Sequence, residues 1–77
     1  MKIEVLFFGG LRELMGCSSM PIIEVDTTDN VLEKLNQIND KLAGKTFQLA
    51  LNNKLIKENT PIENGDQLAL LPPFAGG

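Results

Sequence analysis

Histidine, tryptophan and tyrosine are absent from the chain. Without histidine, no side chain has its ordinary titration near neutrality, so imidazole acid–base catalysis and imidazole metal ligation are excluded. Phenylalanine, present four times, is the only aromatic, and base-stacking platforms are correspondingly scarce. A single cysteine, Cys17, cannot form an internal disulfide or a multi-cysteine metal site, and points to a reducing compartment, the cytoplasm. Cationic residues are outnumbered, with 7 Lys and Arg against 10 Asp and Glu and a formal net charge of -3. Phosphate binding needs a basic face, so nucleic acid is not an expected partner. No apolar run approaches the roughly 18 residues of a membrane span. Met1-Lys2 leads directly into Ile3-Glu4-Val5 rather than a signal-type apolar region, so no membrane partner is expected either.

What is present is the material of one small domain: 77 residues, 43% apolar and 22% charged. A chain of this size hides only about 60–65% of its unfolded surface, which leaves little room for an enclosed active site. Lys2 to Phe8 (KIEVLFF) alternates as a strand, with Ile3, Val5 and Phe7 on one face and Glu4, Leu6 and Phe8 on the other. Gly9-Gly10 break it. A short helical turn, Leu11 to Met15, follows, and Gly16 suits a left-handed cap at its end. Met20 to Val25 reads as the second strand, with Pro21 placing its start at an edge or before the ladder. A helix comes next, capped by Thr27 or Thr28, with Val31, Leu35, Ile38 and Leu42 as its apolar stripe and Gly44 closing it. Thr46 to Leu51 alternates again, Asn52-Asn53 signals a tight turn, Lys54 to Ile56 returns, and Gln67 to Leu71 is the last strand. Strand, strand, helix, strand, strand, strand is the order of an α+β roll of the ubiquitin-like, β-grasp kind: a mixed sheet of about five strands with one main helix on one face. The expected organisation is a β-grasp domain over residues 1–73 and a flexible tail over residues 74–77.

The end of the sequence stands apart from this body. Neither Pro72 nor Pro73 has an amide hydrogen to donate, so strand pairing should stop there. Phe74, Ala75, Gly76 and Gly77 would reach roughly 13 Å when extended, at about 3.3 Å per residue. Gly76-Gly77 has no side chains, so it can slide through a channel too narrow for any Cβ and present the terminal carboxylate with little hindrance. A carboxylate is a poor electrophile, but coupling to AMP turns it into an acyl donor, and sulfide then converts it to a nucleophilic thiocarboxylate.

Strand parity supplies a second constellation. If the helix packs on Ile3, Val5, Phe7, Phe47, Leu49, Leu68 and Leu70, then Leu6, Phe8, Ala50, Ala69 and Leu71 project from the opposite face. The first and last strands are neighbours in a β-grasp roll, so Leu6, Phe8, Ala69 and Leu71 form one apolar patch, and contiguous patches on small domains mark contact surfaces. Docking there would aim Gly77 into the partner. Other candidates are weak. No adjacent base activates Cys17, Gly9-Gly10 lacks the Gly-Lys-Ser/Thr ending of a phosphate loop, and Glu58, Glu63 and Asp66 have no metal-ligand spacing. No metal and no bound cofactor are expected, and no catalytic set is found.

With "LFFGGLRELMG" opening the chain and "NGDQLALLPPFAGG" closing it, the sequence resembles the small subunit of molybdopterin synthase from end to end. The segment "LALNNKLI" is also similar to that family's strand–turn–strand. The resemblance implies a β-grasp sulfur carrier whose terminal glycine, here Gly77, is adenylated by an E1-like activating enzyme using ATP. Sulfur from a persulfide donor protein then forms the thiocarboxylate. It further implies that the tail inserts into the large synthase subunit, with Pro72, Pro73, Phe74 and Ala75 touching that partner. Sulfur passes there to a cyclic pyranopterin precursor in molybdenum cofactor biosynthesis, typically within a heterotetramer. By matching position, Phe8 and Leu71 belong to the docking surface and Arg12 to its rim. Many members carry an aromatic where this chain has Leu71. The pterin-binding and catalytic groups belong to the large subunit. Three other readings stay open: a sulfur carrier for thiamine thiazole or another thiolated metabolite, a ubiquitin-like modifier of lysines, and a binding module whose tail is incidental.

Overall fold

Alternation in the first segment becomes β1 (Lys2–Phe7), with Ile3, Val5 and Phe7 buried and Glu4 and Leu6 turned to the other face. The computed structural model describes residues 1–73. After β1 come α1 (Gly10–Met15), β2 (Ser19–Ile23), α2 (Thr28–Ile38), a 3₁₀ turn (Asp40–Gly44), β3 (Gln48–Leu51), β4 (Lys54–Ile56) and β5 (Gln67–Leu71). The sheet order is β2-β1-β5-β3-β4, with β1 and β5 parallel and every other pair antiparallel. This is the α+β β-grasp arrangement that the element order predicts. Val31 and Leu35 of α2 join Ile3, Val5, Phe7, Leu68 and Leu70 in one core, so the helix covers a single face of the sheet.

The local signals act as their chemistry requires. Thr27, in extended conformation, caps α2 by accepting the Asn30 N–H on its Oγ1 at 3.3 Å. Gly16 adopts the left-handed region (φ 78°) and donates its N–H to the Arg12 carbonyl at 2.9 Å, closing α1. Pro21 lies within β2, opposite Glu4, and is tolerated because β2 is an edge strand.

The predicted single helix through Leu42 is interrupted. Asn39 leaves helical geometry (φ -148°, ψ 104°), its Oδ1 accepts the Lys41 N–H at 3.0 Å, and its Nδ2 donates to the Leu14 carbonyl at 3.0 Å. The 3₁₀ turn then carries Leu42 into the core. Ile38 is 57% exposed rather than buried, because the buried face of α2 is built on Thr28, Val31 and Leu35 and Ile38 is its last residue. Three strands also end or begin short of prediction. β1 stops at Phe7 rather than Phe8. β2 ends at Ile23, before Glu24 with its positive φ of 61°, and β3 begins at Gln48, leaving Phe47 packed against the core from outside the strand.

Asn52 and Asn53 both take positive φ (51° and 71°), which joins β3 to β4 through a two-residue turn. Asn52 also fastens this hairpin to the start of β5. Its Oδ1 accepts the Gln67 N–H at 3.0 Å, and its Nδ2 donates to Asp66 Oδ1 at 3.1 Å. Asn52→Ala removes both bonds and places a Cβ-bearing residue without a local hydrogen bond at positive φ. The expected loss is about 1–2 kcal/mol. Thermal unfolding should show it as a fall of about 4–8 °C per kcal/mol.

Candidate functional site

The register of the sheet decides which side chains share the face opposite α2. Leu6 is paired with Ala69, Ala69 with Ala50, and Ala50 with Leu55, so these four make a row across β1, β5, β3 and β4. The two middle members carry only a methyl group and the two outer ones are leucines, so the row is dished at its centre. Phe8 extends β1 by one step, donating its N–H to the Leu70 carbonyl at 3.2 Å, and Leu71 pairs with Gln48. Leu6, Phe8, Ala69 and Leu71, together with Gln48, Ala50, Asn53, Leu55 and Pro72, line an apolar concavity of about 610 Å³. Phe8 is 44% exposed and Leu55 58% exposed at its margins. Side chains of this size cost free energy in contact with water, at about 25 cal/mol per Å² of apolar surface, so a partner that covers them is favoured.

The four patch residues read from parity are therefore together on one face. Gln48, which shares Ala50's side of β3, and Leu55 join them. Leu55 was recoverable, since a two-residue turn at Asn52-Asn53 pairs Ala50 with Leu55 and puts both on the same side. Ala50 is only 7% exposed, so it forms the floor of the dish rather than projecting from it.

β5 stops at Leu71, and the exposed Pro72 and Pro73 leave the sheet at the margin of the dish. A smaller hollow of about 160 Å³ lies beside them, lined by Gly10, Leu11, Lys45, Thr46, Pro72 and Pro73. Arg12 is exposed on α1, one turn beyond Gly9. Phe74, Ala75, Gly76 and Gly77 lie outside the described residues, as does the predicted tail segment as a whole.

Chemistry elsewhere on the body is sparse. Cys17 is half-buried with its Sγ 3.9 Å from the Met15 carbonyl oxygen, a weak contact that fixes a small side chain in a loop. Among the described residues no three Cys, Asp or Glu side chains gather as metal ligands, and no helix is long and apolar enough to cross a membrane. The body thus offers a shaped apolar surface and an exit for the chain beside it.

Comparison with known proteins agrees with this geometry. A molybdopterin synthase sulfur carrier subunit from Haemophilus influenzae is 36% identical, over 97% of this chain and 99% of that protein. In a protein–protein complex of subunits 1 and 2 of molybdopterin-converting factor from Helicobacter pylori, a chain 31% identical superposes with a TM-score of 0.74 over 100% of both chains. The small archaeal modifier protein 1 from Methanosarcina acetivorans superposes with a TM-score of 0.86 at 21% identity, over 99% of this chain and 96% of that one, a likeness of fold alone. The profile described as the ThiS family matches residues 5–77, nearly the whole length, and the chain belongs to that family.

Proposed function

We propose that this chain is the sulfur carrier subunit of molybdopterin synthase and that its sulfur travels on the Gly77 carboxyl group. The observation that carries the reading is the apolar dish bordered by Pro72, which precedes Gly76-Gly77 by four positions in the sequence. A large subunit seated on Leu6, Phe8, Ala69 and Leu71 receives that segment in its own active site. The chain from Pro72 through Ala75 is the connecting arm, and the absence of side chains on Gly76 and Gly77 lets the reactive end enter a narrow channel. Arg12, exposed on α1 one turn beyond Gly9, supplies a cation for an acidic rim on the partner.

Loading proceeds in three steps. An E1-like enzyme transfers AMP from ATP to the Gly77 carboxylate with release of pyrophosphate. The outer sulfur of a persulfide-bearing protein then attacks the acyl carbon and AMP departs, leaving an acyl disulfide to that protein. A thiol breaks its S–S bond by attacking the donor protein's sulfur, which releases the thiocarboxylate and leaves a new disulfide on the donor. Two thiocarboxylate sulfurs, delivered in turn to a cyclic pyranopterin precursor, form the dithiolene that holds the metal. These reactions are placed in the cytoplasm, where Cys17 stays reduced.

Reconstitution tests the reading. The chain, its activating enzyme, ATP, a persulfide donor and the large subunit should together convert the precursor to molybdopterin, and omission of the chain should stop the conversion. Ladders of higher-mass conjugates on denaturing gels, with no pterin product, would instead identify a protein modifier. Conversion of a thiazole precursor in place of the pterin would identify the thiamine-type carrier.

A further inference from the structure

We infer that Gly9 is a positioning residue: the space left by its missing side chain seats the ring of Pro72, and that seat sets the direction in which the chain leaves the sheet. Gly9 links β1 to α1 with φ 61° and ψ -139°, a region that side-chain-bearing L-residues hardly occupy. A Cβ built on Gly9 would lie 2.7 Å from Pro72 Cγ, 3.7 Å from its Cδ and 3.8 Å from its Cβ. The first distance is well inside carbon–carbon contact, so the proline ring occupies the place of the absent methyl group. The adjoining backbone is fixed. Phe8 donates its N–H to the Leu70 carbonyl at 3.2 Å, and Leu11 and Arg12 donate to the Phe8 and Gly9 carbonyls at 3.2 and 3.1 Å. The turn therefore cannot swing aside at no cost, and a side chain at position 9 displaces Pro72 instead. By contrast, a Cβ on Gly10 or Gly16 meets nothing within 4 Å.

The consequence rests on the carrier reading above, in which the arm beginning at Pro72 must enter a partner's channel while the apolar dish holds the body in place. Gly9→Ala leaves Leu6, Phe8, Ala69 and Leu71 unchanged but redirects the arm. Misplacement of a reacting group by about 1 Å can cost on the order of 100-fold in rate. Loading of Gly9→Ala by the activating enzyme should accordingly show kcat reduced about 10–100-fold, with KM for the carrier within about threefold of the original.

Gly16→Ala is the control for a Cβ at positive φ in open space. Backbone strain is greater at Gly9, with ψ -139° against 14° at Gly16, and the melt of each variant gives its folded fraction, which separates that strain from displacement of Pro72. Both variants should melt several degrees lower. A smaller folded fraction raises the apparent KM and leaves kcat intact, so only a displaced arm lowers kcat. Pro72→Ala, made on an exposed residue, removes the ring that occupies the seat. Adding Gly9→Ala to it should cause little further loss, since the two changes disrupt one contact.

The test is steady-state loading of all four variants with ATP and the activating enzyme. It is paired with a proton NMR search for contacts between the Gly9 α-protons and the Pro72 ring in the unaltered chain. Present contacts, together with a kcat loss in Gly9→Ala and none in Gly16→Ala, support the seat. Absent contacts, an unchanged kcat in Gly9→Ala, or losses that multiply in the double variant overturn it. If the unaltered chain is not loaded at all while the NMR contacts are present, the carrier reading fails and the positioning role fails with it, whereas the packing of Pro72 on Gly9 stands.

Discussion

Deleting Gly77 should end sulfur loading while leaving the folded body as it is. Loss of one extended residue draws the terminal carboxyl back by about 3.3–3.6 Å. Since a misplacement of about 1 Å already costs on the order of 100-fold in rate, the deletion should lower loading by more than 100-fold. Stability should not follow, because β5 ends at Leu71 and every core residue among the described residues precedes it. Pyrophosphate release with the activating enzyme checks the first expectation, and a thermal melt checks the second. Loading within tenfold of the full-length chain would refute a carrier that acts through its terminal carboxyl. Gly76→Val separates length from width: the carboxyl keeps its reach, but a branched side chain now has to pass through the partner's channel. Loading should again be lost.

Phe8→Glu should weaken docking of the large subunit by about 30- to 1,000-fold. Phe8 is the most exposed aromatic side chain among the described residues and stands at the margin of the dish, the position from which an anchoring aromatic fills a partner's pocket. Truncating such an anchor costs about 2–4 kcal/mol. A carboxylate adds the penalty of burying an unpaired charge. The fold should survive, because the Phe8 side chain is turned away from the core and its backbone bond to Leu70 is independent of side-chain type. Titration calorimetry with the large subunit measures the affinity. Binding unchanged within threefold would remove the apolar dish from the interface. Leu55→Glu tests the far margin of the same surface, where a smaller loss is expected if the interface is centred on β1 and β5.

Much of this was legible because it depends on neighbours in sequence. Alternation placed Ile3, Val5 and Phe7 on one face of β1, and the same alternation in β5 put Leu68 and Leu70 on one face and Ala69 and Leu71 on the other. Thr27 as a cap, Gly16 as a left-handed stop and Asn52-Asn53 as a turn each rest on the conformational preference of the residue concerned. What escaped depends on contacts between distant segments. Nothing local distinguishes Asn39 from a polar residue on the outer face of a continuing helix. Its side chain ends α2 with the help of the Leu14 carbonyl, twenty-five positions earlier. Ile38 reads as a core residue for the same reason: its spacing from Leu35 is correct, and only the position of the helix end exposes it.

The candidate site divides along the same line. Leu6, Phe8, Ala69 and Leu71 follow from parity once β1 and β5 are taken as neighbours, whereas the dished shape needs the register that sets Ala69 beside Ala50. Gly9 reads in sequence only as a strand breaker. Its proximity to Pro72, sixty-three positions away, is a property of the folded chain.

Intact mass spectrometry after incubation with ATP, the activating enzyme and a sulfur donor tests the central claim most directly. The account predicts a mass gain equal to the replacement of one oxygen atom by one sulfur atom, located by fragmentation on Gly77. A gain of a whole sulfur atom on Cys17, or an unaltered mass under conditions that release pyrophosphate, would contradict it.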